Sequence, residues 1–525
     1  MSSTGLLSGT LASPISLTSN LTLFNLTALT GAALAALCFV VIYRLYFHPL
    51  AHLPGPFYAR IAGYWRTIRY ARGTWHDDIL ELHAKYGRVV RVAPNEVSVV
   101  DENAMRQLYG HGKNAPKTDW YSTWEVPNTA PALFASQDKK VHAFLRKRVS
   151  GAYSMSAVLR FERWIQGCLD LMLCRLKQHA DRGEIVNMSD WTNAFAFDVV
   201  GELAYGEQLG HLRTETDVHN VRKNIYKGFQ LMASVGHLPG QSRPFNNPFM
   251  TRLRGLFGGP DPFASFQEWT IAKLKARMND PGSTPREDML WHFNNMRKAD
   301  GEPAEFGEVL IEALNIIGAG ADTTSIGIRA CLFYICSHPA VYQKVRQEVD
   351  QYYRDNNLAE PITYLQCQQL RYLGAAIKEA TRLLPSIVFQ LLRHAPDNFI
   401  VDDKVIPPGT PVGISPLAQN RDRAIWGNDA DVFRPERWLE DEEKAKYLET
   451  ANMTFGGSGP RMCIGKNIAL VELHKAVAQL IHNFDMEIVD RERPWRIASH
   501  WFAYQHDFNM RLKFREGRDL RTIET

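Results

Sequence analysis

The first 43 residues of this 525-residue chain contain no charged side chain, and Arg44 is the first charged residue. A cleaved secretory signal has a basic segment ahead of its apolar core, so this absence argues against one. Residues 21–43 are predominantly apolar, and as a helix they would rise about 35 Å, enough to cross a hydrocarbon core of ~30 Å. Positive charge follows at Arg44 and Arg60, which predicts a cytosolic side after the helix. We therefore predict a lumenal tail over residues 1–20, a single transmembrane anchor over 21–43 and a proline-rich linker over 44–60.

The chain also lacks a disulfide framework and a strong net charge. It has seven cysteines, an odd number, and none of them forms a Cys-x-x-Cys pair. Free thiols in a reducing cytosol fit this pattern better than disulfides do. A net charge of +4 without a dense Lys/Arg stripe argues against nucleic acid as a partner. Asn20 and Asn25 match glycosylation acceptors, but both lie near or inside the apolar stretch, so the sequence leaves their glycosylation open.

Residues 61–525 contain no second linker and no internal repeat, which indicates one large domain. Strand patterns are few and short: residues 88–101 alternate around Pro94-Asn95, and residues 399–414 form a second hairpin candidate. Helical periodicity dominates the rest, so we predict a mainly α domain with small β-sheets. The predicted helices are Trp75–Tyr86, Ser156–His179, Trp191–Leu203, Phe306–Ser337, Ala340–Tyr353, Leu370–Leu384 and Gly465–Phe484.

One glycine-rich run, FGGSGPRMCIG at 455–465, contains a single cysteine. A nucleophile elbow would need glycine where Pro460 stands, and a phosphate-binding loop would need Ser or Thr where Asn467 stands. Zinc is not favoured, because Cys463 has no second Cys or His at ligand spacing. A lone thiolate on a glycine-rich loop that leads into a helix N-terminus remains, since free N–H groups there would stabilise it.

The predicted helix 306–337 contains IIGAGADTTS at its centre, where Gly318 and Gly320 weaken an otherwise apolar helix. Two interpretations stay open from the residues alone. Small residues allow a close helix–helix crossing, whereas Asp322 beside Thr323 is typical of proton transfer.

Glu379 and Arg382 in KEATRLLP lie three residues apart, on one face of a predicted helix that Pro385 ends. An exposed ion pair is the usual interpretation of such a spacing. Arg437, in the aromatic-rich segment 426–439, is a possible third member of a buried charge cluster.

Taken together and in this order, these segments resemble the cytochrome P-450 family of haem-thiolate monooxygenases. AGADTT (319–324) resembles the oxygen-activating helix motif, KEATR the Glu-x-x-Arg motif, and FRPERW (433–438) the segment that completes its charge cluster. FGGSGPRMCIG resembles the haem-binding loop. The resemblance covers the chain from the anchor to the C-terminus, and segments such as CIGKNIALVEL resemble fungal members that act in secondary metabolism.

The haem-binding loop departs from the family pattern at one position. Gly459 and Arg461 stand at the expected spacing before Cys463, but Phe455 lies eight residues before it rather than seven. The loop is therefore one residue longer, and glycines can accommodate the insertion. The packing of Phe455 against the ligand becomes an open question for the structure.

The resemblance implies haem b (iron protoporphyrin IX) with the Cys463 thiolate as axial metal ligand. It implies cofactor contacts from Gly320, Phe455 and Gly465, and it makes Asp322 and Thr323 the catalytic proton relay. Glu379, Arg382 and Arg437 would have a structural role in holding the fold around the haem. The propionate-binding positions of the family are matched by Arg461, Arg393, Arg146 and His142, the last in place of a more usual tryptophan.

The resemblance also implies a location and partners. Electrons would come from NADPH through a separate cytochrome P-450 reductase at the endoplasmic reticulum membrane, docked on Lys139, Lys140, Lys147, Arg148 and Lys466. No obligate oligomer is expected. A lipophilic substrate would contact residues 111–135, 316–324, 386–391 and 501–504, including Trp124, Phe134, Ile387, Phe389 and Phe502. The alternative is a haem-thiolate isomerase or dehydratase, which the presence of Asp322 and Thr323 argues against.

Overall fold

The computed structural model describes residues 14–113, 115–125, 129–238, 252, 262–279, 286–518 and 520. Its first helix, Pro14–Ile42, begins before the predicted anchor and continues into a π-helix at Tyr43–Phe47. By length and composition, Thr27–Phe47 is a candidate membrane span that the domain does not bury. Residues 1–13 of the predicted tail and the side chains of Asn20 and Asn25 lie outside the described residues.

The segment after this helix is bound to the domain by three arginines. The guanidinium of Arg44 donates to the Ile61 carbonyl at 2.5 Å, and that of Arg60 donates to the Leu45 and Ala51 carbonyls at 3.0 and 2.9 Å. Arg91 donates back to the Arg44 carbonyl at 2.9 Å. These bonds hold the base of the apolar helix in one position against the domain.

Helices form most of the domain, as the sequence predicts. Their bounds agree closely with the hydrophobic periodicity, because the apolar faces that carry the pattern are the faces that become buried. In chain order they are α1 Pro14–Ile42, α2 Phe57–Ile61, α3 Tyr64–Arg72, α4 Trp75–Tyr86, α5 Glu102–Tyr109, α6 Lys139–Val149, α7 Met155–Asp181, α8 Met188–Tyr205, α9 His211–Thr214, α10 Val221–Val235, α11 Pro262–Met278, α12 Met289–Asn294, α13 Phe306–Ser337, α14 Pro339–Asp355, α15 Tyr364–Cys367, α16 Arg371–Leu383, α17 Pro416–Gln419, α18 Arg423–Trp426, α19 Glu442–Ala451 and α20 Lys466–Asn483.

Four small sheets accompany the helices, with strand orders β1-β2-β7-β4, β10-β9, β3-β11-β8 and β5-β6. All pairings are antiparallel except that of β2 with β7. The strands are β1 Val89–Ala93, β2 Glu96–Val99, β3 Ile185–Asn187, β4 Arg393–His394, β5 Phe399–Val401, β6 Lys404–Ile406, β7 Pro411–Gly413, β8 Phe484–Ile488, β9 Arg496–His500, β10 Phe502–His506 and β11 Asn509–Phe514.

The second predicted hairpin is wrong in its second half. Only β5 and β6 form it, around Asp402 and Asp403, which both adopt positive φ, at 52° and 58°. Pro407 and Pro408 follow directly and have no backbone N–H to continue the ladder. The chain therefore leaves this hairpin, and β7 joins the sheet of β1 and β2 instead.

The long helix α13 runs through the centre of the domain. Glu305 and Glu308 close its N-terminus with a capping box, and most of its side chains are buried. It packs against α8 over much of its length and also against α16, α20 and β10. The fold is thus mainly α with small sheets, and α13 is the element around which the candidate site is built.

Candidate functional site

Two surfaces deep inside the domain remain accessible to solvent. Ala319 is exposed at the centre of the otherwise buried helix α13. The Cys463 side chain is also exposed, although protein atoms crowd around it, which is the condition of a residue on the wall of a deep cleft. A side-chain carbon added at Gly318 or Gly465 would meet no atom within 4 Å, so both positions border open space.

The longer cysteine loop keeps Phe455 bonded to the cysteine. Cys463 donates its backbone N–H to the Phe455 carbonyl at 2.9 Å, and Gly456 donates to the Met453 carbonyl at 2.9 Å. Gly456 and Gly457 both have φ +83°, a conformation that glycine adopts without a steric penalty. The extra residue is therefore taken up in a left-handed turn before the cysteine. The Phe455 ring lies under the Lys466 ammonium at 5.5 Å.

Gly459 allows the loop to approach the backbone of α5. A Cβ at this position would lie 1.6 Å from the Tyr109 carbonyl oxygen, so no other residue fits without moving one of the two chains. Gly465, two residues after the cysteine, leaves the cleft open and directly precedes α20. Burial raises the pKa of the Cys463 thiol, and the N–H groups of Gly465 and Lys466, with the positive charge of Arg146, oppose that rise. These groups are suited to a thiolate.

Five basic side chains converge beside the cysteine: Lys117, His142, Arg146, Arg393 and Arg461. Burial, reinforced by the neighbouring cations, lowers the pKa of His142 to about 3 and that of Arg461 to about 10. Burial also lowers the pKa of Lys117 well below its usual value. None of the five forms an ion pair with a carboxylate anywhere in the described residues. Anions supplied from outside the chain would stabilise the charged forms of these side chains.

The cations are held in place by backbone carbonyls and leave donors free. Arg461 donates to the Ser136 carbonyl at 2.8 Å, Arg146 to the Met462 carbonyl at 2.8 Å, and Arg393 to the Tyr121 hydroxyl at 2.8 Å. The buried Nε atoms of Arg393 and Arg461 have no partner within the part of the chain that is described. Unsatisfied buried donors next to an open cleft fit the two carboxylates of a haem b.

Lys117 is a member of this cluster that the sequence did not reveal. It lies in the loop before Asp119–Trp124 and donates its ammonium to the Phe134 carbonyl. The ammonium also lies 4.3 Å from the centre of the Tyr121 ring. A buried lysine is rare, and the irregular segment around it gives no periodicity from which burial could be predicted.

The acid and the hydroxyl of α13 point in different directions. Thr323 is partly accessible, and its hydroxyl donates to the Ala319 carbonyl at 2.7 Å, on the cleft side of the helix. Asp322 is buried and accepts from the Asn193 amide at 2.8 Å and from the Tyr504 hydroxyl at 3.0 Å. Burial raises the pKa of Asp322, and these two hydrogen bonds oppose the rise. Gly320 faces Val200 of α8, where a Cβ would come within 3.3 Å of a methyl group.

Glu379, Arg382 and Arg437 form a buried cluster, so the exposed ion pair is the wrong interpretation. Arg382 donates to both Glu379 oxygens at 2.8 Å, and Arg437 donates to Oε1 at 3.1 Å. The Trp438 indole adds a fourth bond, to Oε2, at 2.9 Å. All three charged side chains are fully buried. The cluster joins α16 to the turn Pro435–Trp438.

Aromatic side chains surround the region where β10 meets α13. Ser386 donates to the Thr323 carbonyl at 2.7 Å, and Ile387 bridges to Phe502, which brings the segment 386–391 and the strand tip beside the helix centre. Trp501, at the tip, has φ +75° and packs on Trp120 at 4.7 Å. Of the predicted substrate contacts, Phe389 and Phe502 are buried, Trp124 and Ile387 are half-buried, and Phe134 is exposed. Residues 114 and 126–128 of the predicted contact loop lie outside the described residues.

The predicted basic docking face loses one member. Arg148 is paired with Glu308, and its side chain is only 5% exposed. Lys139 and Lys140, at the N-terminus of α6, are exposed, as is Lys147 near its end, while Lys466 is half-buried. The remaining lysines lie on α6, which also carries His142, and at the start of α20, which follows Cys463.

Comparison with known proteins relates this chain to the cytochrome P450 enzymes. The family model for cytochrome P450 matches residues 53–513. Cytochrome P450 monooxygenase gsfF of Penicillium aethiopicum is 32% identical over 506 residues, which cover 94% of this chain and 99% of that protein. Cytochrome P450 monooxygenase cicH of Emericella nidulans is 32% identical over 477 residues, covering 89% and 94%. A pisatin demethylase of Fusarium vanettenii is 30% identical over 476 residues, 88% of each chain.

The fold and these relatives define an oxidoreductase of the haem-thiolate class. The chain belongs to the cytochrome P450 family, and it is a monooxygenase. The family fold and the resemblance predicted from the sequence are thereby confirmed. The family carries a haem with a cysteine thiolate ligand, and the cleft, the cysteine and the unpaired cations fit that group.

Proposed function

We propose that this protein is a membrane-anchored monooxygenase that inserts one oxygen atom into a lipophilic small molecule of fungal secondary metabolism. The observation that carries the proposal is that Cys463 lies beside a cluster of basic side chains. No carboxylate among the described residues forms an ion pair with that cluster. A thiolate and a set of unpaired cations on the same cleft suit one ligand that is both a metal complex and a dianion.

Each residue of the cleft has a role in this proposal. Cys463 would ligate the haem iron through its thiolate, which the N–H groups around it would stabilise. Arg393, Arg461, His142 and Lys117 hold the propionates, while Arg146 fixes the loop through the Met462 carbonyl. The haem, when bound, supplies the activation of molecular oxygen. Gly320, Gly465 and Phe455 shape the space next to it.

The protons that the reaction consumes enter through α13. The Thr323 hydroxyl lies on the cleft side and would pass protons into the cleft, while Asp322, on the neighbouring face of the helix against α8 and β10, would resupply it. Glu379, Arg382 and Arg437 touch neither substrate nor cofactor in this proposal. They hold α16 and the turn Pro435–Trp438 together beneath the cysteine loop.

Electrons come from NADPH through a separate cytochrome P-450 reductase. The exposed Lys139, Lys140 and Lys147 with the half-buried Lys466 give that partner a positive surface, which would speed its encounter with an acidic face. The candidate span Thr27–Phe47 fits an anchor in the endoplasmic reticulum membrane, with the domain on the cytosolic side. The arginine contacts at the base of the span would hold the domain at one angle to the membrane.

The substrate class follows from the side chains at the tip of β9 and β10. The rings of Trp124, Phe134 and Trp501 pack together, with centroids 5.8 to 6.2 Å apart. Aromatic walls favour an apolar molecule that offers ring faces or edges.

Two measurements test the proposal. The protein, expressed with a reductase and supplied with candidate lipophilic metabolites, should give a product heavier by one oxygen atom, and the atom should come from labelled O2. An isomerase or dehydratase would instead give a product without label and without a need for NADPH. Thr323→Ala should divert electrons from product to peroxide, and an unchanged product yield in this variant would contradict its proton-transfer role.

A further inference from the structure

The carboxyl group of Asp322 is held by two side chains from outside its own helix. Asn193 of α8 donates its amide to Oδ1 at 2.8 Å, and Tyr504 of β10 donates its hydroxyl to Oδ2 at 3.0 Å. Asp322 and Tyr504 are 4% and 5% exposed, so the bond between them is shielded from bulk water. Each oxygen of the acid therefore has its own fixed donor.

These donors hold the acid away from the cleft. The Thr323 hydroxyl, one residue on, contacts the Ala319 carbonyl on the accessible face of α13. Because successive helical residues are about 100° apart, Asp322 lies on the neighbouring face, against α8 and β10. The acid and the hydroxyl are thus adjacent in sequence but are held on different sides of the helix.

The charges around Asp322 make its two donors important. Arg329 lies further along α13 and is bound to Gln505 at 2.8 Å and to the Ser189 carbonyl at 2.8 Å. Arg222 and Tyr226 face the acid from α10, and no hydrogen bond joins either to Asp322 among the described residues. Asn193 and Tyr504 are therefore the two groups in direct contact that favour the charged carboxylate.

We propose that Asn193 and Tyr504 are positioning residues of the proton relay, which hold the Asp322 carboxyl against α8 and β10 in its charged, proton-accepting form. Tyr504 suits this role because burial, together with the adjacent acid, raises its pKa well above the usual value, so it stays a donor at every working pH. Asn193 is half-buried, so the side chain that holds Oδ1 of the acid is itself partly accessible to solvent. The relay itself rests on the proposed function.

Infrared spectroscopy of the full-length, haem-loaded protein tests the contact without any substrate. The protonated Asp322 carboxyl gives a C=O stretching band, identified as the pH-dependent band that Asp322→Asn removes. Tyr504→Phe should move the midpoint of this titration upward by about one to two pH units, because a hydrogen bond to a charged group is worth about that much. Asn193→Ala should move it in the same direction, and it also provides the test should Tyr504→Phe fail to fold.

Tyr226→Phe is the matched control. It removes a hydroxyl from a ring that packs edge-on against Tyr504 at 4.7 Å, and it leaves both bonds to Asp322 in place. Its midpoint should equal that of the unaltered protein. Equal midpoints in Tyr504→Phe, Asn193→Ala and the unaltered protein would overturn the proposal.

A second measurement separates the contact from the relay. With reductase and NADPH, Tyr504→Phe should release several times more peroxide per NADPH than the unaltered protein. Asp322→Asn should also raise peroxide release, and Tyr226→Phe should not. A shifted infrared midpoint with unchanged peroxide release in all variants, Asp322→Asn included, would overturn the relay and this assignment with it. If Asp322→Asn alone raises peroxide release, the proposed relay stands and the positioning role is overturned.

Discussion

Neutralising Glu379 should destabilise the protein strongly, because its charge is fully buried among cations. Its carboxylate accepts two bonds from Arg382 at 2.8 Å, one from Arg437 at 3.1 Å and one from Trp438 at 2.9 Å. In Glu379→Gln, the amide keeps the shape of the side chain but brings its own N–H groups against these donors. The substitution therefore tests the charge rather than the packing.

Loss of the Glu379 charge affects the two arginines unequally, and this difference sets the size of the expected loss of stability. Arg437 keeps a second carboxylate, Asp429, at 3.0 Å. Among the described residues, Arg382 keeps only carbonyl acceptors, those of Asn420, Ala430 and Val432. Arg382 becomes a buried cation without a counterion, which costs about 3–5 kcal/mol. For a domain of this size the entropy of unfolding converts each kcal/mol into roughly 1 °C, so the midpoint of thermal unfolding should fall by about 3–5 °C.

Calorimetry of Glu379→Gln and of Glu449→Gln provides the comparison. Glu449 pairs with Lys378 on the surface, and its side chain is 53% exposed. Loss of an exposed pair costs about 0–1 kcal/mol, so this control should unfold close to the unaltered protein. Equal midpoints for the two variants would refute the argument that burial makes the Glu379 charge indispensable.

Three further predictions follow from the cleft. Gly459→Ala should abolish haem loading, because its Cβ would overlap the Tyr109 carbonyl. Gly151→Ala should load normally, because its Cβ meets open space. The haem absorbance per protein measures the loading of both variants. Lys117→Met should release haem to an acceptor protein about 10–100-fold faster, the equivalent of one charge-assisted bond, and Lys140→Met should not. Below about pH 6.5, His142 is protonated in the unfolded chain but not in the folded chain, where its pKa is about 3. The haem-free protein should therefore lose stability as the pH falls from 6.5 towards 3. Denaturant titrations should find a shallower loss in His142→Asn, and an identical slope would contradict the assignment.

The sequence predicts the helices of this fold better than it predicts the contacts between distant segments. Helix α13 has the predicted bounds because its apolar period and its capping box are local signals. The hairpin over 399–414 fails after Ile406, since alternation continues past two prolines that cannot pair. A pattern of alternating residues specifies a strand but not the partner of that strand.

The candidate site divides in the same way. Motif spacing indicated Cys463, Asp322 and Glu379 because each lies in a short characteristic run. Asn193 and Tyr504 were missed, since their bonds to Asp322 span 129 and 182 residues and depend on how α8 and β10 pack on α13. Lys117 was missed because nothing local marks a loop lysine as buried. The extra loop residue and its accommodation by glycines were both predicted from the sequence, and the structure adds that Gly456 and Gly457 take it up at positive φ.

The most direct test of the whole account is the absorption spectrum of the reduced protein with carbon monoxide. The unaltered protein should give the strongly red-shifted Soret band of thiolate ligation, and Cys463→Ala should lose it while keeping its helical content. A normal band in Cys463→Ala, or no red-shifted band in the unaltered protein after full haem loading, would contradict the assignment of Cys463 as the haem ligand.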